Sequence, residues 1–187
     1  MRSIVPLFAL TFAVSVPSLA TEVVPVAPFQ SVELRGGGDV VVVPGPTQRV
    51  TILEGSTRFT QFRVESDGKL RIDVCNERCP QHYRLRMEIQ SPHVPSVGVD
   101  GGGTIHAASG FPAQDHLAAA ISGGGKIDLG TVEATKVSAG VNGGGVILVR
   151  ARATLAAGVN GGGEVRYFGD PVVTSAINGG GSVRPAR

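Results

Sequence analysis

Gly-Gly-Gly recurs six times in this chain, at residues 36–38, 101–103, 123–125, 143–145, 161–163 and 179–181. The last five runs start 22, 20, 18 and 18 residues apart. A period near 20 marks a repeat architecture, in which each unit buries its apolar side only against its neighbours. The 27 glycines follow no three-residue period, which excludes a collagen helix.

Reading outward from each run identifies the repeat as strand. The second residue before the glycines is Leu34, Val99, Ile121, Val141, Val159 or Ile177. The second after them is Val40, Ile105, Ile127, Ile147, Val165 or Val183, and the fourth after is Val42, Ala107, Leu129, Val149, Tyr167 or Pro185. Before the last five runs, the sixth position back holds Pro95, Leu117, Val137, Leu155 or Val173, and the fourth holds Val97, Ala119, Ala139, Ala157 or Ser175. These positions alternate with polar or small residues at period two and favour β-branched side chains, which is a strand pattern. No helical window competes with it. The expected fold is therefore all-β, a parallel β-helix (solenoid) with the glycines stacked at one corner. An ~18-residue coil at ~3.3 Å per residue runs about 60 Å, a plausible circuit of three short sides. The residue before each run is Arg35, Asp100, Ser122, Asn142, Asn160 or Asn178. Asn142, Asn160 and Asn178 would form a ladder supporting the turn.

Residues 22–98 hold one glycine run and longer strands. Strand candidates lie at 29–43 around the glycines, then at 49–54, 60–65, 70–74 and 83–90, with a turn at Ser66, Asp67 and Gly68. This section is expected to be irregular, partly antiparallel, and able to cap the first coil. Cys75 and Cys79 lie four residues apart. In an exported chain such a pair reads as a disulfide, worth roughly 2 kcal/mol through loop closure. A metal site with His82 and a redox pair are the alternatives.

The export reading comes from the first residues. Arg2, an apolar stretch at 4–16, and Ser18, Leu19 and Ala20 form a secretory signal peptide with cleavage near Ala20. No cysteine follows that site, so a lipoprotein is not expected, and no later stretch approaches ~20 apolar residues. The organisation is then a signal peptide at 1–20, an N-terminal β section at 21–98, and glycine coils at 99–187 continuous with it. The mature protein is expected in the periplasm or secreted, with no stable membrane insertion. A formal charge of +2 supplies no field for nucleic acid. Aromatics at 5%, with no Trp, argue against a stacking platform for sugars or bases.

The run Arg84, Leu85, Arg86, Met87, Glu88, Ile89, Gln90, Ser91, Pro92, leading through Val97, Gly98, Val99 and Asp100 into a glycine turn, with glycine coils thereafter, resembles the auto-transporter adhesin head GIN domain family. The resemblance covers about residues 28–184. It implies a right-handed parallel β-helix, interaction at the surface or in the periplasm, and no catalytic residues. The family turn is nearer Gly-Ser-Gly, so this chain departs from it at the middle position.

Catalysis on polysaccharide needs paired carboxylates or a metal cluster on neighbouring coils. No such pair falls in the columns flanking the turns. His106 near Asp128, with Lys126, is the best constellation, and it reads as a solvated outer face. His82, His93 and His116 are scattered, and no nucleophile setting appears. No enzyme activity, cofactor or metal is expected; the alternative is a carbohydrate-binding or carbohydrate-active β-helix protein acting on an envelope or extracellular polysaccharide, which as an enzyme would work through His106 and Asp128. The outward columns before the last four runs are instead unusually small: Ala118, Ser138, Ala156 and Thr174 in one, Ala120, Gly140, Gly158 and Ala176 in the other. Such a flat, uncharged face suits close approach of another surface. It could be covered by the chain's own ends, by a second copy or an envelope protein, or by an extended polysaccharide. Arg150, Arg152, Arg166 and Arg184 belong to other outer faces, where they could contact anionic glycan or act as plain solvation.

Overall fold

The computed structural model describes residues 21–75 and 78–186. The signal peptide expected at 1–20 lies outside the described residues. No described residue is helical, and fifteen strands form one hydrogen-bonded sheet of mixed parallel and antiparallel pairs.

Two parallel ladders make up most of the sheet, joined at the glycine corner. The first contains the strands entering the corner: β2 (Ser31–Gly36), β6 (Lys69–Val74), β8 (Ser96–Gly101), β10 (Gln114–Gly123), the end of β11 (Lys126–Gly143), the end of β12 (Val146–Gly161) and β14 (Val172–Asn178). In space they run β6, β2, β8, β10, β11, β12, β14, all parallel. The second contains the strands leaving the corner, in the order β7 (Arg86–Ser91), β3 (Asp39–Pro44), β9 (Thr104–Ala107), β11, β12, β13 (Glu164–Phe168) and β15 (Ser182–Pro185), again all parallel. Seven layers at ~4.8 Å span about 29 Å between the outermost strands.

The columns read from the sequence are the columns of the structure. Val32 pairs with Val97 and Leu34 with Val99. Leu117, Val137, Leu155 and Val173 lie in register, as do Ile105, Ile127, Ile147, Val165 and Val183. Their side chains form one continuous core. Repeats of unequal length keep this register because the excess is absorbed away from the corner. β11 and β12 slip in register between Asp128 and Glu133 and again between Ala134 and Lys136.

The corner explains the glycines one position at a time. Gly143 has φ +128, and a Cβ there would lie 2.4 Å from the Gly123 carbonyl oxygen. A Cβ on Gly145 would lie 2.6 Å from Ile121 in the core, whereas a Cβ on Gly144 would meet nothing within 4 Å. The first glycine is thus required by backbone and stacking, and the third by packing. Backbone bonds such as Gly144 N–H to Gly123 O, 3.0 Å, carry the ladder around the turn.

The N-terminal section is more regular than its sequence suggests. The first glycine run stacks directly on the second, with Gly102 N–H donating to Gly36 O at 2.9 Å. The intervening residues leave the stack and return beneath it as β6 and β7, a layer with Cys75 and residues 78–85 at its corner instead of glycine. Cys75 and Cys79 form the expected disulfide at that corner. The irregular, antiparallel part is confined to three strands: β5 (Thr60–Val64) on β6, β4 (Arg49–Glu54) on β7, and β1 (Glu22–Val24), which the sequence did not reveal, on β4.

Candidate functional site

The side of the first ladder that faces away from the core is the principal candidate. Parallel pairing in register forces residues of equal offset from the corner into straight columns. Ala118, Ser138, Ala156 and Thr174 form one, and Ala120, Gly140, Gly158 and Ala176 the next. All eight are exposed or half-buried. They line a shallow groove of about 960 Å³, and no described residue covers it.

The groove continues beyond the four layers evident in the sequence. Gly98 pairs with Ala120, Glu33 with Gly98, and Arg71 with Glu33. Glu33 and Gly98 could have been found by extending the same offset to the first two glycine runs. Arg71 and Lys69 could not, because β6 precedes no glycine. These residues close the groove with charge. Lys69 Nζ lies 3.5 Å from Glu33 Oε2, and Arg71 Nη1 lies 2.9 Å from Glu65 Oε1. Arg35 donates to Asp100 at 3.2 Å and reaches Asp73 at 3.4 Å. The hydrogen bond to Asp100, with Asp73 beside it, raises the Arg35 pKa further above its ordinary value. The charges of this end are thus paired with one another, and the small-residue columns lining the rest of the groove carry no charge.

The small residues of this face differ from those of the corner. A Cβ on Gly140 or Gly158 would meet nothing within 4 Å, and neither has a positive φ. Glycine inside a strand costs roughly 0.5–1 kcal/mol relative to alanine. Nothing in the fold requires it at these two positions.

The remaining predicted positions are also placed. Asn142, Asn160 and Asn178 lie in register and exposed, with no amide-to-amide hydrogen bond among the described residues. His106 and Asp128 are paired positions, and Asp128 Oδ1 accepts from Gly130 N–H at 3.2 Å. Among the described residues no group of three His, Cys, Asp or Glu could hold a metal ion. Arg150 donates to Gly130 O at 2.9 Å with its guanidinium 4.7 Å from the Phe168 ring, so it packs on the protein's own surface. Arg152 pairs with Glu133, and Arg166 and Arg184 both pair with Glu164. Those two guanidiniums hold the Glu164 carboxyl down at about 2, chiefly through the hydrogen bond from Arg166.

An all-β stack with one open side of small residues is the class of protein that this geometry defines. Residues 113–171, from the start of β10 into the segment after β13, match the family described as "Putative auto-transporter adhesin, head GIN domain". The chain is similar over 89% of its length to a crystal structure described as a putative adhesin from Bacteroides fragilis, covering 96% of that chain at 17% identity and a TM-score of 0.51. That likeness shows a shared fold. Two structures from Parabacteroides are similar at 16% identity, each over 90% of this chain and 96% of theirs. One is described as a putative lipid binding protein from P. distasonis, TM-score 0.39, the other as a putative adhesin from P. merdae, TM-score 0.38. No curated protein matches the sequence.

Proposed function

We propose that this chain is a non-enzymatic interaction module of the cell envelope or exterior, and that its contact surface is the small-residue face of the first ladder. Gly140 and Gly158 carry the reading. Both sacrifice strand stability with no φ or packing requirement. Their effect is to keep the face low, so that another sheet, a protein surface or an extended polysaccharide can approach the backbone. The adhesin family matched by residues 113–171 supports interaction as the general role and an outer location. The layers wind as a right-handed parallel β-helix, since parallel strands joined by crossovers almost always connect with that hand. Residues 21–98 serve as an N-terminal section and cap, continuous with the coils at 99–187.

The test compares wild type, Gly140→Lys with Gly158→Lys, and Gly140→Ala with Gly158→Ala. Each is screened for binding to envelope fractions and a polysaccharide array. Docking on the face predicts that the lysine pair loses the bound partner and the alanine pair largely keeps it. A lysine pair that binds everything wild type binds removes the face from consideration.

A further inference from the structure

A different surface, the edge strand β14, is self-complementary. We propose that two copies of this chain associate antiparallel through β14, with a two-fold axis at Ser175, so that one small-residue face runs on into the other.

Among the described residues β14 is the outermost strand of its ladder and pairs only with β12. A free parallel edge presents a row of unmade N–H and C=O groups, and natural proteins usually blunt such edges with charge, proline or a covering segment. The other outer strands of this molecule are blunted. β6 and β7 are covered by antiparallel β5 and β4, and the edge strands beyond them, β5 and β1, carry Arg63 and Glu22. β15 carries Pro185, and its Arg184 is tied to Glu164. The β14 sequence, Val-Val-Thr-Ser-Ala-Ile-Asn, has neither charge nor proline.

Its side chains are left exposed in the same way. Ile177 is 44% exposed, while Val159, one layer inward in the same column, is 3% exposed. Val172 is 73% exposed, in the column where the preceding layers carry Lys136 and Thr154. Antiparallel pairing about Ser175 sets Val173 against Ile177 of the second copy and Thr174 against its Ala176. Core residues meet core residues, small residues meet small residues, and no like charges meet. A coil end of this circumference buries on the order of 500 Å² per copy, near the lower limit of about 1,000 Å² in total for a specific interface. An interface of this size is sought over the micromolar range.

The experiment follows solution mass by light scattering from about 1 to 500 μM, alongside single-cysteine variants, with the native cysteines already paired with each other. Directly opposed residues of an antiparallel pair have Cα atoms ~4.5–5.5 Å apart, within disulfide reach. Ser175→Cys is expected to form a covalent dimer under mild oxidation, while Thr174→Cys, displaced by two residues from its own copy, is not. Ser175→Lys is expected to stay monomeric at every concentration, and Gly140→Lys with Gly158→Lys to keep the wild-type mass. A monomeric wild type throughout overturns the proposal. So does a dimer that survives Ser175→Lys, or equal crosslinking of the two cysteine variants. Loss of the dimer in the Gly140 and Gly158 pair would assign it to the face, also overturning β14 pairing while leaving the contact-face reading intact.

Discussion

The two ends of this molecule share a core and finish it in opposite ways. At the N-terminal end the last parallel layer, β6 and β7, is covered by β5, β4 and β1, and its corner is closed by the disulfide loop. Tyr83 in that loop accepts a hydrogen bond from Ser56 N–H at 3.0 Å, and its hydroxyl lies 2.7 Å from Oγ1 of buried Thr60. Leu85 and Ile52 are each 1% exposed there. At the C-terminal end β14 and β15 pair inward only, and the core columns run out into half-exposed Val173 and Val183 and exposed Ile177. A stack of repeats gains stability from contacts between neighbours, so a terminal layer with one neighbour is the first to open unless something covers it. The N-terminal end is covered, and its edge strands, β5 and β1, carry Arg63 and Glu22. The open end keeps a pairing surface and gives up local stability.

Substitutions at equivalent places in the two halves should expose this difference. Gly101→Ala, with φ +119 and a Cβ 2.4 Å from Gly36 O, is expected to cost about 4 kcal/mol, because strain adds to separation of two interior layers. Gly179→Ala meets Gly161 O at 2.6 Å with φ +113, but only an end layer need shift, so about half that cost is expected. Urea midpoints that moved equally would show that the last layer is as firmly held as the interior. Leu85→Ala should cost about 3 kcal/mol as a cavity within the capped end, against less than ~1 for Ile177→Ala, whose side chain is already partly in water.

Reducing the Cys75 to Cys79 bridge should lower stability by about 2 kcal/mol, and native-state hydrogen exchange should place the loss around β6 and β7. Acid should act at the other end. Glu164 titrates near 2 in the folded protein against an ordinary 4.5, so its contribution is complete above pH 4.5 and lost as pH falls toward 2. Solvent around the exposed guanidiniums limits the effect to about 1 kcal/mol, read as faster exchange in β15 and prevented by Glu164→Gln, which removes the titration. Gly180→Ala should change stability by less than ~0.5 kcal/mol, since nothing lies within 4 Å of its Cβ position. The middle glycine is also where the chain departs from the Gly-Ser-Gly turn of the family that it resembles. That departure falls at the one corner position with room for a side chain.

Most of the ladder was legible because its information is local. Once Ile121, Val141 and Val159 stand two residues before equal glycine corners, register and side follow from counting, and so do the small columns through Gly140 and Gly158. The alternation of Thr60, Phe62 and Val64 also marked a strand, but nothing local said that it would run antiparallel along β6. The return of the chain beneath its first layer is likewise absent from any period. β6 and β7 have no glycine corner, and β2 meets β8 across 65 residues of sequence, Arg35 against Asp100. Such pairings are settled by competition among all free edges for partners, which depends on the whole chain. The sequence alone therefore determined the repeat, the core columns and the uncharged face. Only the tertiary structure decided which end of the stack would be covered and which edge would stay free.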